Sequence, residues 1–159
     1  MLFESKTDRE YEGLFADYMG AKYKVEALKI DKKYGPDFFV SGADGSPRSW
    51  VEFKQRDARI LEYPTAMISA YKIWRGRSLA DSTGLKFVFA IGVKCEYVNE
   101  ARFGIDQDGA DDIITYRSVE ITPEVIDGSW LAMGGRKDRG YIGDTEPTYH
   151  IPWAFFRDI

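Results

Sequence analysis

Pro36-Asp37-Phe38-Phe39-Val40 and Trp50-Val51-Glu52-Phe53-Lys54 are two short apolar stretches, each carrying charge at one end. Between them, Ser41 to Ser49 holds Gly42, Asp44-Gly45 and Pro47, which are turn-forming residues. Two strands in a meander or hairpin are therefore expected. Side chains at i and i+2 of a strand share a face. Glu52 and Lys54 should lie together, with Phe53 turned the other way into a core. If the strands pair across the turn, Asp37 reaches the same edge.

Working outward, residues 7–19 read as a helix. Thr7 and Glu10 have capping-box spacing, Tyr11, Leu14, Phe15 and Tyr18 make one apolar face, and Gly20 suits a helix end. Residues 23–30 alternate like a strand. Downstream, Thr65 to about Asp81 is expected to be helical, with Met67, Ile68, Tyr71 and Trp74 as its stripe and Ser82-Thr83-Gly84 as its stop. Lys86 to Cys95 is the most hydrophobic run and the expected central strand. Weaker strands are expected at 97–103, 113–119 and 149–151, and a turn or short helix from Pro152. Gly128 to Thr145, with five glycines, reads as a loop. The order is helix, three strands, helix, strand, then more β. That order predicts a mixed α/β (α+β) sheet flanked by helices. One domain over 1–159 is expected, with a core at about 7–95 and a β-rich extension at about 96–159.

The composition agrees with a globular domain: 159 residues, 44% hydrophobic, 15% aromatic and 30% charged. One cysteine, Cys95, excludes an internal disulfide framework and a cysteine-based zinc site, and its apolar run predicts a small core residue. The single histidine, His150, excludes a two-imidazole site and reads as structural. There is no secretory or membrane-spanning pattern, so an intracellular, cytoplasmic protein is expected.

Asp37, Glu52 and Lys54 suit metal-assisted phosphodiester hydrolysis. A hard cation such as Mg²⁺ (or Mn²⁺) takes oxygen ligands, here from Asp37, Glu52 and the Phe53 backbone carbonyl. Lys54 would orient or help deprotonate the attacking water, or stabilise developing charge. The bland alternative is a surface ion pair worth about 0–1 kcal/mol.

Pro36-Asp37, a turn, then Glu52-Phe53-Lys54 resembles the motif of the PD-(D/E)XK nuclease superfamily. The element order over about residues 7–95 is similar to its restriction-endonuclease-like αβββαβ core. The resemblance implies Asp37 and Glu52 as metal ligands and Lys54 as catalytic lysine. It also implies an acid from the first helix, with Glu10 the leading candidate and Glu12 the second. Gln55, Tyr71 and Lys72 depart from the glutamine motif of exonuclease branches. Phage or viral endonucleases and Holliday-junction resolvases are the closer likeness.

The net charge of −4, taken as a whole, is adverse to DNA. Its distribution is not. Residues 48–77 carry seven bases against three acids, whereas residues 96–129 carry nine acids against two bases. Arg48, Arg56, Arg59, Lys72, Arg75 and Arg77 are the candidate DNA contacts. A metal-dependent DNA endonuclease, with branched DNA among its candidate substrates, is the expected function, and a non-catalytic DNA- or protein-binding module on the same fold is the alternative. Cutting both strands at once needs two sites, which a homodimer would supply. Asp106, Asp108, Asp111 and Asp112 lack the twelfth-position glutamate of a calcium loop and read as a solvated turn.

Overall fold

The structure is a computed structural model and describes residues 6–31, 35–95, 113–135 and 145–159. Helix α1 (Lys6–Tyr23) precedes β1 (Val25–Lys29), β2 (Phe38–Gly42) and β3 (Pro47–Asp57). After a 3-10 turn come β4 (Thr65–Ser69), α2 (Ala70–Thr83) and β5 (Lys86–Cys95). Then follow β6 (Ile113–Glu120), α3 (Pro123–Asp127), β7 (Trp130–Gly135), β8 (Thr145–Pro152) and β9 (Arg157–Asp158).

Six strands form the main sheet in the order β1-β2-β3-β5-β6-β9. β2 and β3 pair antiparallel, with Phe38 opposite Val51 and an irregularity at Val40/Ser41. β3 and β5 pair in parallel, and α2 lies in the crossover between them. This is an α+β architecture with a mixed sheet, consistent with a restriction-endonuclease-like core.

The sheet is buried on both faces because its inner strands are apolar at successive positions. Val51 and Phe53 of β3 and Ala90 of β5 pack with Phe15 of α1, Phe38, Val40 and Tyr116. Phe15 stacks on Phe53 at 4.5 Å between ring centroids. On the opposite face Phe87, Phe89, Ile91 and Val93 meet Ile73 and Ala80 of α2, with Val119, Ile121, Val125 and Ile151. The α2 backbone comes very close to β5. A Cβ on Gly76 would stand 2.2 Å from the Phe87 ring, so only glycine fits there.

Several sequence expectations shift. Helix α1 runs on to Tyr23, with Thr7 inside it rather than capping it and Gly20 within its last turn. Lys24 breaks the helix in a left-handed conformation, φ 55°. Leu14 is exposed; Tyr11, Phe15, Tyr18 and Met19 supply the packed face. The helix expected from Thr65 starts only at Ala70. Residues 65–69 are β4, which pairs with β8 in a second sheet of order β4-β8-β7. There Ala66 and Ile68 are buried and Met67 is exposed, a period of two rather than 3.6. The stripe assigned to α2 is correspondingly wrong: Tyr71 and Trp74 are exposed, and Ala70, Ile73, Gly76 and Ala80 face inward. The stop is as read, with Gly84 left-handed and its N–H donating to the Ala80 carbonyl.

Part of the expected 128–145 loop is strand β7, which pairs with β8 through Trp130 and His150. His150 lies under Trp130, ring planes 7° apart, and its Nδ1 is 3.3 Å from Thr65 Oγ1. Cys95 ends β5 half-buried, not in the core, because the sheet's apolar packing stops at Val93. The expected strand at 97–103 and the turn at Asp106–Asp112 fall outside the described residues. No helix among the described residues is long and apolar enough to cross a membrane.

Candidate active site

Pairing between β2 and β3 ends at Phe38–Val51, and the residues just beyond form the site. At that point β3 no longer has a backbone partner on the β2 side. Asp37 fills the gap: its Oδ2 accepts the Phe53 N–H at 2.8 Å. A residue's N–H and C=O point to the same strand edge, so the Phe53 carbonyl lies on the edge facing Asp37.

Glu52 faces away from α1, towards α2, and is wholly buried. It does not emerge to solvent, as the strand pattern alone suggested. Lys54 Nζ lies 2.9 Å from Oε1, and Lys72 Nζ of α2 lies 3.0 Å from Oε2. Lys72 also donates to the Gly35 carbonyl at 3.0 Å, tying α2 to the start of β2. Although close, Lys54 is not aligned for a hydrogen bond, and Oε1 has no aligned donor among the described residues.

Two further groups complete the cluster. Lys29 Nζ bonds Glu12 Oε2 of α1 at 2.5 Å and approaches Asp37 Oδ1 at 3.8 Å. Three carboxylates (Glu12, Asp37, Glu52) thus meet three ammonium groups (Lys29, Lys54, Lys72). Burial is the main cause that pushes the Glu52 carboxyl above its ordinary pKa, and the Asp37 charge adds to it, while Lys54 and Lys72 oppose. For Lys54, burial is the largest single influence and pulls its pKa down. The charges of Glu52 and Asp37 together outweigh burial and hold it above the ordinary lysine value.

The structure brings Asp37, Glu52, Lys54 and the Phe53 backbone together. It does not bring Glu10 among them: Glu10 is exposed on α1, and Glu12, two residues on, is the helix acid linked to Asp37 through Lys29. Helical spacing alone could not choose, since both acids flank the apolar stripe. Lys72 is placed in the cluster, not on a solvent-facing helix surface. Arg77 is likewise committed to the fold, donating to the Ile121 carbonyl at 3.0 Å and to Asp81. Arg59 pairs with Asp57 on the surface, and Arg56 donates to the Gln55 carbonyl. Arg48 lies at the far end of β3, about 20 Å from Lys54 at a strand's rise per residue. Arg75 is exposed on α2. Sequence reasoning missed the roles of Lys29 and Lys72; neither stands at a motif spacing from Asp37 or Glu52.

The donor set fits a hard divalent cation. Each carboxylate has one oxygen committed, Asp37 Oδ2 to the Phe53 N–H and Glu52 Oε2 to Lys72. The oxygens that would face a cation are Asp37 Oδ1, 3.8 Å from Lys29, and Glu52 Oε1, a buried oxygen 2.9 Å from Lys54 but without an aligned donor. No three His, Cys, Asp or Glu side chains gather as a metal site among the described residues. A cation here would take remaining ligands from backbone carbonyl or water, as Mg²⁺ does.

A strand pair whose ladder ends beside Asp37, with Glu-x-Lys on the longer strand, matches the PD-(D/E)XK nuclease superfamily. Residues 1–104 match the model of the family described as "Phage putative PDDEXK endonuclease", and the chain belongs to that family. The matched segment contains every side chain of the cluster. No curated protein matches the chain. Membership of a family so described supports nuclease activity, the hydrolysis of phosphodiester bonds, as the general assignment.

Proposed function

We propose that the protein is a metal-dependent DNA endonuclease whose site is built from Asp37, Glu52, the Phe53 carbonyl and Lys54. The observation that carries this reading is a pair of carboxylate oxygens that lysines approach without an aligned hydrogen bond: Asp37 Oδ1, 3.8 Å from Lys29, and the buried Glu52 Oε1, 2.9 Å from Lys54. A Mg²⁺ or Mn²⁺ ion would be held by Asp37, Glu52 and the Phe53 carbonyl, and when bound would supply Lewis-acid activation of water and neutralise the scissile phosphate.

The chain's own residues do the rest. The Phe53 N–H fixes the rotamer of Asp37, and Lys72 fixes that of Glu52. Lys54, an ammonium favoured by Glu52 and Asp37, is placed to donate to a phosphate oxygen or to the attacking water. Arg56 and Arg59, just beyond Lys54 on the same strand and the following turn, and Arg75, one turn beyond Lys72 on α2, are the proposed backbone contacts. Branched DNA is included as a substrate form because the resemblance takes in Holliday-junction resolvases beside phage and viral endonucleases.

The test is cleavage of linear duplex, plasmid and four-way-junction DNA with Mg²⁺ or Mn²⁺, comparing wild type with Glu52→Ala and Lys54→Ala. Cleavage by wild type alone supports the proposal, and junction preference supports its branched-DNA form. Equal activity in all three proteins overturns it.

A further inference from the structure

Lys72 enters the site from an element that no short motif connects to it. Twenty residues separate it from Glu52, yet its Nζ sits 3.0 Å from Oε2 and 3.0 Å from the Gly35 carbonyl. Those are two oxygen partners at the floor of the site, one a carboxylate and one a carbonyl. Such a set is what a hard cation takes. A site holding two metal ions needs oxygens that face both, and bridging carboxylates supply them with two oxygens each. Here each carboxylate has a single oxygen without an aligned hydrogen bond, and on Glu52 that oxygen, Oε1, lies 2.9 Å from Lys54. Asp37 Oδ2 is taken by the Phe53 N–H and Glu52 Oε2 by Lys72.

We propose that Lys72 stands where a second metal ion would otherwise bind, and so limits the site to one ion, held between Asp37 Oδ1 and Glu52 Oε1. This inference rests on the metal-dependent reading above. Lys72 is then a positioning residue: it acts through Glu52, keeping Oε2 covered and leaving Oε1 on the Lys54 side. The charge balance agrees. With three lysines already opposing three carboxylates, one divalent ion gives the cluster a +2 excess for a phosphodiester to meet, and a second ion would double that excess.

The experiment is a Mn²⁺ titration of the whole metal-free chain, reading free Mn²⁺ by electron paramagnetic resonance. Asp37→Asn serves as the blank for carboxylates elsewhere, since asparagine still accepts the Phe53 N–H. Wild type is expected to bind one ion more than Asp37→Asn. Lys72→Met is expected to bind two more, and Lys72→Arg, which keeps the charge, one. Two ions in wild type overturn the inference whatever the variants do, so it stays exposed if Lys72→Met fails to fold. One ion in a folded Lys72→Met, at unchanged affinity, overturns it as well. No difference between wild type and Asp37→Asn removes the metal reading itself, and the inference with it; a count of two removes the inference alone.

Discussion

Asp37 Oδ2 receives the Phe53 backbone N–H at 2.8 Å, at the point where β2 stops pairing with β3. A side chain thus takes the place of a ladder partner, and one contact both satisfies a partly buried donor and aims a proposed ligand. Asp37→Asn keeps an acceptor and loses the charge. It should leave the urea midpoint close to wild type while abolishing cleavage. Asp37→Ala strands the N–H and should cost about 1–3 kcal/mol as well. Equal destabilisation by both variants would separate the charge from the hydrogen bond and contradict this account.

Lys54→Ala removes one charged donor from the proposed transition state. A fall in kcat of about 10²–10³-fold is expected, with KM changed little. A change confined to KM would place Lys54 in ground-state binding instead.

Burial raises the Glu52 pKa, and the sign of the consequence is fixed. An acid that binds its proton more tightly folded than unfolded makes the folded state lose stability as pH rises, from the ordinary glutamate value up to its own folded pKa. In chelator, the difference in unfolding free energy between wild type and Glu52→Gln should therefore move against wild type across that window and level off above it. A difference independent of pH would show that Glu52 titrates normally.

Arg75 and Arg77 stand two residues apart on α2 and should behave differently. Arg77→Ala gives up the bond to the Ile121 carbonyl and should cost about 1–2 kcal/mol of stability with no change in the salt dependence of DNA binding. Arg75→Ala should leave stability alone and lower the slope of log K against log salt by about 0.9, the value for one phosphate contact. Fluorescence anisotropy at several salt concentrations reads both.

Gly76→Ala puts a methyl group into the Phe87 ring and should destabilise by about 1–3 kcal/mol. Phe87→Leu in the same chain should restore part of that loss if the clash is the cause.

Local pattern was enough for the strand pair that carries the proposed site. Glu52 and Lys54 two apart on a strand, a turn-rich gap, and Asp37 at the head of the preceding strand fix a shared edge, because a strand's side-chain period is two whatever surrounds it. The same pattern failed at 65–69. Met67, Ile68, Tyr71 and Trp74 match a helical period, but a second sheet claimed the first five residues for pairing with β8, and no local feature announces a partner more than eighty residues away. Which lysines serve the site was also a tertiary matter. Lys29 and Lys72 reach Asp37 and Glu52 because β1 pairs with β2 and α2 packs over β3, and both distances depend on how those elements lie in space. The amino-acid order determined the chemistry available at the edge of β3; the packing of α1 and α2 on opposite faces decided which charges oppose it and which oxygens those charges reach.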